Sequence, residues 1–258
     1  MPNQCTLVLK AEQITRYLHI GAREVNMSNT LGLDDDLDPV EALISLEKAF
    51  ALKISDNEAS SCSTVGDIYD LLQSRFAAQI GEPGSCMTSM AFYRLRRSLR
   101  GAYPDREFRP DTPLATYAGW NARGFLGRLR NESGLQLPGP QGRWLSMAGC
   151  LLLLLAVASA VIVAVAKGPP IFYSAAIALF VIGVVSIRID PGVLPRDCST
   201  LGELATKASA LNYGTLARSG ATIRPKELWD AMAEVLSGFS ELPKSEMRRE
   251  TLILHQRV

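Results

Sequence analysis

Histidine is nearly absent. The 258 residues hold two, His19 and His255, near opposite ends of the chain. Five cysteines, Cys5, Cys62, Cys86, Cys150 and Cys198, form no close pair. Without a His or Cys cluster at ligand spacing, no zinc site is expected. Scattered cysteines fit a reduced compartment better than a disulfide framework. The chain also lacks a glycine-rich phosphate loop, a Walker-type lysine and a paired-carboxylate motif. No nucleophile stands beside a base. These absences make the expected reading a non-catalytic protein with no cofactor and no metal. Met1 to Lys10 has no basic segment followed by a long apolar core, so no secretory signal is expected there.

A further absence organises the chain. Leu145 to Ala166 is a run of 22 residues without one charge. As a helix it would extend about 33 Å, enough to cross a bilayer core. A polar break, Lys167-Gly168-Pro169-Pro170, separates it from a second uncharged run that continues to Ile187. The expectation is a transmembrane helical hairpin over 145–187, with the lipid bilayer as partner. Trp144 and Tyr173 lie near the run ends, as interfacial aromatics do. Ala156, Ala160 and Ala164 recur every four residues, a spacing that favours close helix packing.

The net charge of +1 hides an uneven distribution. Residues 1–90 carry 6 basic and 13 acidic groups; residues 91–143 carry 10 and 4. Arg123, Arg128, Arg130 and Arg143 precede the first run, Arg188 and Arg196 follow the second, and the turn holds only Lys167. By the positive-inside rule both termini face the cytoplasm, which predicts a multi-pass protein of the cytoplasmic (inner) membrane. The arginines are read as topology and lipid contacts, with no nucleic-acid partner.

Residues 1–30 show only weak helical spacing, over Glu12 to Val25. The signal sharpens at Leu31-Gly32-Leu33-Asp34-Asp35-Asp36-Leu37-Asp38-Pro39-Val40-Glu41, which runs into Ala42–Phe50. Asp36 suits an N-cap and Pro39 a first turn. Val40, Leu43, Ile44 and Phe50 predict an apolar face. Ser55 to Cys62 reads as a polar loop, and Thr64-Val65-Gly66-Asp67 as a capping box opening another helix.

This order, Leu-Gly, acidic residues, Leu-Asp-x-Val-Glu, Leu-Glu-x-x-Phe, then Thr-Val-x-Asp, resembles an acyl carrier protein over Leu31 to Leu72. The resemblance implies an all-α four-helix fold and an acidic docking helix. Asp35, Asp36, Leu37, Asp38, Glu41 and Glu47 are then the candidate partner-binding residues, facing a basic protein such as a lipid-pathway enzyme. It also implies that Asp36 occupies the position of the serine that carries phosphopantetheine in that family. A carboxylate cannot replace the hydroxyl nucleophile in forming the same phosphodiester, so no arm is expected.

Past Ala91 the sequence predicts helices over 92–99 and 122–130. Beyond the hairpin, Cys198-Ser199-Thr200-Leu201-Gly202-Glu203-Leu204 echoes Cys62-Ser63-Thr64-Val65-Gly66-Asp67-Ile68. That repeat suggests a second, degenerate carrier-like module built from 91–140 and completed by 198–212, with the hairpin inserted in it. The alternative is that capping chemistry simply recurs. A last helix is predicted over Pro225 to Leu236, with Leu228, Trp229, Met232 and Val235 apolar. Within the C-terminal segment 198–258 it is one helix to spare, and residues 1–30 supply the first module's opening helix poorly. A circular permutation, in which the spare helix completes the first module, is one arrangement that follows.

The expected fold class is all-α, small carrier-like bundles with a two-helix membrane hairpin. The expected role is non-catalytic docking. The alternatives are an active carrier with an unrecognised attachment residue, and a structural membrane protein.

Overall fold

The computed structural model describes residues 30–33, 38–165, 171–240 and 242–254. The weak helix at 12–25 and the candidate residues Asp35, Asp36 and Leu37 lie outside the described residues. Among the described residues the regular structure is helical apart from two short strands, and the chain divides into two compact units.

The first unit comprises residues up to 47, 52–78 and 225 onward. Its elements are β1 (Thr30–Leu33), α1 (Asp38–Phe50), α2 (Asp56–Ser61) and α3 (Val65–Phe76), joined by a C-terminal helix and strand. The core of this unit is Leu31, Leu33, Ala42, Leu46, Val65 and Leu72, with Leu228, Met232 and Leu236 from the C-terminal helix, Pro225–Leu236. That helix packs on α3. Tyr69 fixes the pairing: its hydroxyl donates to the Pro225 carbonyl at 3.2 Å, and its ring meets Trp229 edge-on at 5.4 Å. The C-terminal strand, Leu252–Leu254, lies parallel to β1 with Thr30 opposite Leu252. The unit is thus closed by a segment that enters the sequence some 150 residues after α3 ends.

Two details differ from the sequence expectation. Ser55–Cys62 is not simply loop, because Ser55 and Glu58 form a capping box that opens α2. The apolar face of α1 is also only partly the expected one: Phe50 is buried and Leu43 half-buried. Val40 and Ile44 are exposed, at 52% and 42%, while Ala42, Leu46, Ala49 and Phe50 are buried.

The second unit comprises residues 48–51 and 79–224. It contains α4 (Met87–Ala102), a single turn α5 (Ala115–Ala118), α6 (Ala122–Ser133), the apolar helices α7 (Trp144–Val165) and α8 (Ile171–Ile189), then α9 (Leu201–Leu211) and α10 (Tyr213–Arg218). The C-terminal helix and strand of the first unit are accordingly α11 and β2. Met87, Ala91, Leu95 and Leu99 of α4 are buried, as are Leu201, Leu204, Ala205 and Ala208 of α9, and the two helices pack together. Residues 48–51 reach this unit at Phe50, whose ring lies 5.3 Å from that of Tyr213. Gly214 sits so close to the Phe50 carbonyl that no β-carbon fits.

The two units share one hydrogen-bond scheme. In the first, Thr64 and Asp67 cap α3 reciprocally, Val65 N–H donates to Thr251 O at 2.9 Å, and Gly66 N–H donates to Arg249 O at 2.9 Å. Ile253 N–H donates to Ser63 O at 3.1 Å, and Arg248 N–H to Thr251 Oγ1 at 3.0 Å. In the second, Thr200 and Glu203 cap α9 reciprocally, Leu201 N–H donates to Thr112 O at 3.0 Å, and Gly202 N–H to Pro110 O at 2.7 Å. Leu114 N–H donates to Ser199 O at 2.9 Å, and Arg109 N–H to Thr112 Oγ1 at 2.8 Å. Six bonds thus recur between matching positions, which capping chemistry alone does not require.

Among the described residues one helix, α7, is long and apolar enough to cross a membrane. It packs against α8 where two glycines meet: a β-carbon on Gly149 would lie 2.8 Å from the Gly183 carbonyl oxygen. Ala156 is buried, but Ala164 is exposed, so the small-residue contact runs through Gly149 and Ala156 instead of the Ala156-Ala160-Ala164 series. The base of the pair is fastened by Gln141 and Val193, which exchange backbone hydrogen bonds of 2.9 and 2.8 Å.

Candidate functional site

The sequence points to the start of α1, and the first unit presents it as follows. Asp38 and Glu41 occupy the first turn, where negative charge is favoured by the helix dipole. Glu41 is exposed and Asp38 half-buried. Val40 and Ile44 stand exposed beside Glu41, giving a surface strip that is both apolar and acidic. Glu47 is differently placed. Its carboxylate accepts from Lys53 Nζ at 2.7 Å and from Ile54 N–H at 2.8 Å. Those two bonds hold its pKa below the usual carboxylate value. Glu47 therefore secures the turn after α1. Asp38 and Glu41 are brought together on the first turn, and Glu47 is engaged with that following turn.

Behind the strip lies a cavity of about 240 Å³. Val40 and Leu43 of α1, Ala59 of α2, Ile68 of α3, Leu236 of α11 and Ile253 of β2 contribute to its wall. Among the described residues its lining holds no charged side chain. Cys62 is the one lining residue with a reactive side chain, and burial, then the negative charges of Asp67 and Glu58, push its thiol pKa up. That is the opposite of an activated nucleophile. The cavity can take an apolar group and offers nothing to polarise one. No sequence signal marked it, since its wall is completed by Leu236, Ile253 and Leu254, more than 160 positions after Leu71. Between α6 and α9 the second unit carries α7, α8 and a 3-10 turn, Arg196–Cys198.

The first unit is a small helical bundle whose helix α3 opens with a reciprocal capping box and whose helix α1 starts with acidic residues. A stretch of 51 residues is 43% identical to an acyl carrier protein of Porphyromonas gingivalis, covering 20% of this chain and 64% of that protein. A stretch of 55 residues is 46% identical to an acyl carrier protein of Syntrophobacter fumaroxidans, covering 21% and 67%. The acyl carrier protein of Amoebophilus asiaticus is 37% identical over 54 residues, covering 21% and 66%. Over this stretch the chain belongs to the acyl carrier protein family. The chain spans just under two thirds of the length of the Porphyromonas relative. No protein-family model matches the chain, and no solved structure matches it significantly.

Proposed function

We propose that this chain is a membrane-anchored, non-catalytic carrier-like protein that docks a basic cytoplasmic partner on α1. The observation that carries the reading is the strip of Val40, Glu41 and Ile44, with Asp38 in the same first turn. Exposed branched apolar residues beside acidic ones are what a protein interface uses at its centre and rim. Family membership supports a lipid-pathway enzyme as the class of partner.

In this reading Asp36 takes the place of the attachment serine, and the arm is absent. The sequence from Leu31 to Ile44 contains no serine, threonine or tyrosine at all. The recurring hydrogen-bond scheme supports reading the second unit as a degenerate carrier-like module, with α7 and α8 inserted as a membrane hairpin. Exposed Leu151, Leu154, Ile162, Ile177 and Phe180 on these helices support that placement, since a large apolar surface in water is unfavourable. Both soluble parts then face the cytoplasm.

The test is capture of proteins from lysate by the full chain, compared with the double variant Asp38→Lys, Glu41→Lys. Capture by the native chain that fades with salt and is lost in the variant supports docking on α1. Equal capture by both overturns it. The cavity favours a second reading, an active carrier whose attachment residue lies elsewhere, because an apolar cavity suits an apolar cargo. Intact mass separates the two readings.

A further inference from the structure

We infer that the base of the α7–α8 pair is a binding surface for anionic phospholipid headgroups. The inference rests on the membrane reading and adds the class of lipid. Arg143, Trp144, Arg188, Trp120 and Arg123 converge there. Arg143 and Trp144 open α7, Arg188 closes α8, and Trp120 and Arg123 flank the start of α6. Contacts fix this convergence. The Arg143 guanidinium lies 3.8 Å from the centre of the Trp120 ring. Arg123 donates to the Arg188 carbonyl at 3.2 Å, and its amide donates to the Pro191 carbonyl at 2.9 Å.

Three features make this a headgroup surface and not merely a basic one. The guanidiniums are uncompensated: among the described residues none of Arg123, Arg143 and Arg188 pairs with a carboxylate. Asp190, an acid at the base, is buried, and its carboxylate is engaged by neutral donors and not by a guanidinium. It accepts from the amides of Arg143, Ser146 and Gly192, each at 2.8 Å, and from the Ser146 hydroxyl. The two tryptophans are exposed, at 64% and 62%, at the level where the apolar helices begin. Indole rings favour that boundary, and arginine forks match phosphate oxygens. Stacking on Trp120 also holds Arg143 in place before a ligand arrives.

The test uses the full chain reconstituted into bilayer discs of mixed phosphatidylglycerol and phosphatidylcholine, with the lipids retained on the protein after mild detergent washing quantified by headgroup. Native protein should retain phosphatidylglycerol in excess of its share, and the excess should fall as salt rises. Arg123→Gln, Arg143→Gln and Arg188→Gln should each reduce it, by about fivefold per arginine. Trp120→Leu should reduce it with the charges intact. Loss of the excess in variants that still resist alkaline extraction from membranes supports the inference. An excess that is absent in the native protein, or unchanged in the arginine variants, overturns it while leaving the anchor in place. Release of the native protein by alkaline extraction overturns both the anchor and this surface.

Discussion

Gly66 and Arg249 are in backbone contact. The Gly66 amide donates to the Arg249 carbonyl at 2.9 Å, and a β-carbon on Gly66 would lie 2.7 Å from that same oxygen. The atom in the way is backbone, tied in turn to Asp70 through the Arg249 side chain. It cannot rotate aside. Gly66→Ala should therefore destabilise the first unit by about 1–3 kcal/mol, the usual cost of overpacking. Trp229 is the one tryptophan of this unit and packs on Tyr69, so its fluorescence reports this unfolding in a Trp120→Phe, Trp144→Phe background. An unchanged denaturation midpoint would show that the contact is loose.

The Gly66–Arg249 bond also joins segments 183 positions apart in sequence. A chain ending at Arg224 loses α11 and β2, and with them Leu228, Met232, Leu236 and the partner of β1. The first unit should then fail to fold, while the second, which ends at Arg224, keeps its helices. Amide hydrogen exchange separates the outcomes. Loss of protection over α1 and α3 with retention over α4 and α9 is expected. Full protection of α3 in the truncated chain would show that α11 is only an addition to the first unit.

The capping boxes make both units sensitive to acid. The Thr64 and Ser63 amides hold the Asp67 pKa below its ordinary value, and the Ser199 hydroxyl with the Thr200 amide does the same for Glu203. A lowered folded-state pKa means that the unfolded chain binds more protons. The stabilisation is therefore present above the unfolded pKa, about 4, and is lost as pH falls through the folded one. Asp67→Asn should flatten the acid limb of the first unit alone, and Glu203→Gln that of the second. Removing the cap hydroxyl with Thr64→Ala should cost about 1 kcal/mol at neutral pH. Denaturation midpoints across pH 2–7, read unit by unit, check all three; parallel acid limbs in native and Asp67→Asn protein would refute the first.

The parts that were legible are those with local signals. Pro225 and the spacing of Leu228, Met232 and Val235 placed α11 within its observed bounds, and the Thr-x-Gly-acid boxes placed α3 and α9. The likeness between Cys62–Ile68 and Cys198–Leu204 pointed to a repeat that the matching hydrogen bonds now fill in. Other parts depend on distant partners. The parallel pairing of β1 with β2 spans more than 200 residues and leaves no turn signal. Of the apolar face expected on α1, Phe50 is buried and Leu43 half-buried, but Val40 and Ile44 are exposed, because helical spacing alone does not say which apolar positions find a covering neighbour. The short helix α2 buries no residue and has no periodicity, although Ser55-x-x-Glu58 is a capping signature. The candidate site follows the same division: its acids were visible in sequence, its cavity was not.

In the proposed reading the absence of an arm turns on one side chain. Phosphopantetheine attachment requires a hydroxyl oxygen to attack the β-phosphorus of coenzyme A, forming a P–O bond as the 3′,5′-ADP leaving group departs. The proposed reading puts the Asp36 carboxylate at that position, and the sequence from Leu31 to Ile44 holds no hydroxyl side chain. The full chain isolated from cells containing a phosphopantetheinyl transferase should have the mass of the bare polypeptide, allowing for the initiator methionine. Asp36→Ser should gain one phosphopantetheine in the same cells, because the surrounding Leu-Asp-x-Val-Glu helix start is retained in a stretch that belongs to the carrier family. An arm on the native chain would favour the active carrier, and fragment masses would then locate the attachment residue. A bare Asp36→Ser chain would mean that the transferase no longer recognises α1, which would put the divergence in the docking surface itself and not in the single residue.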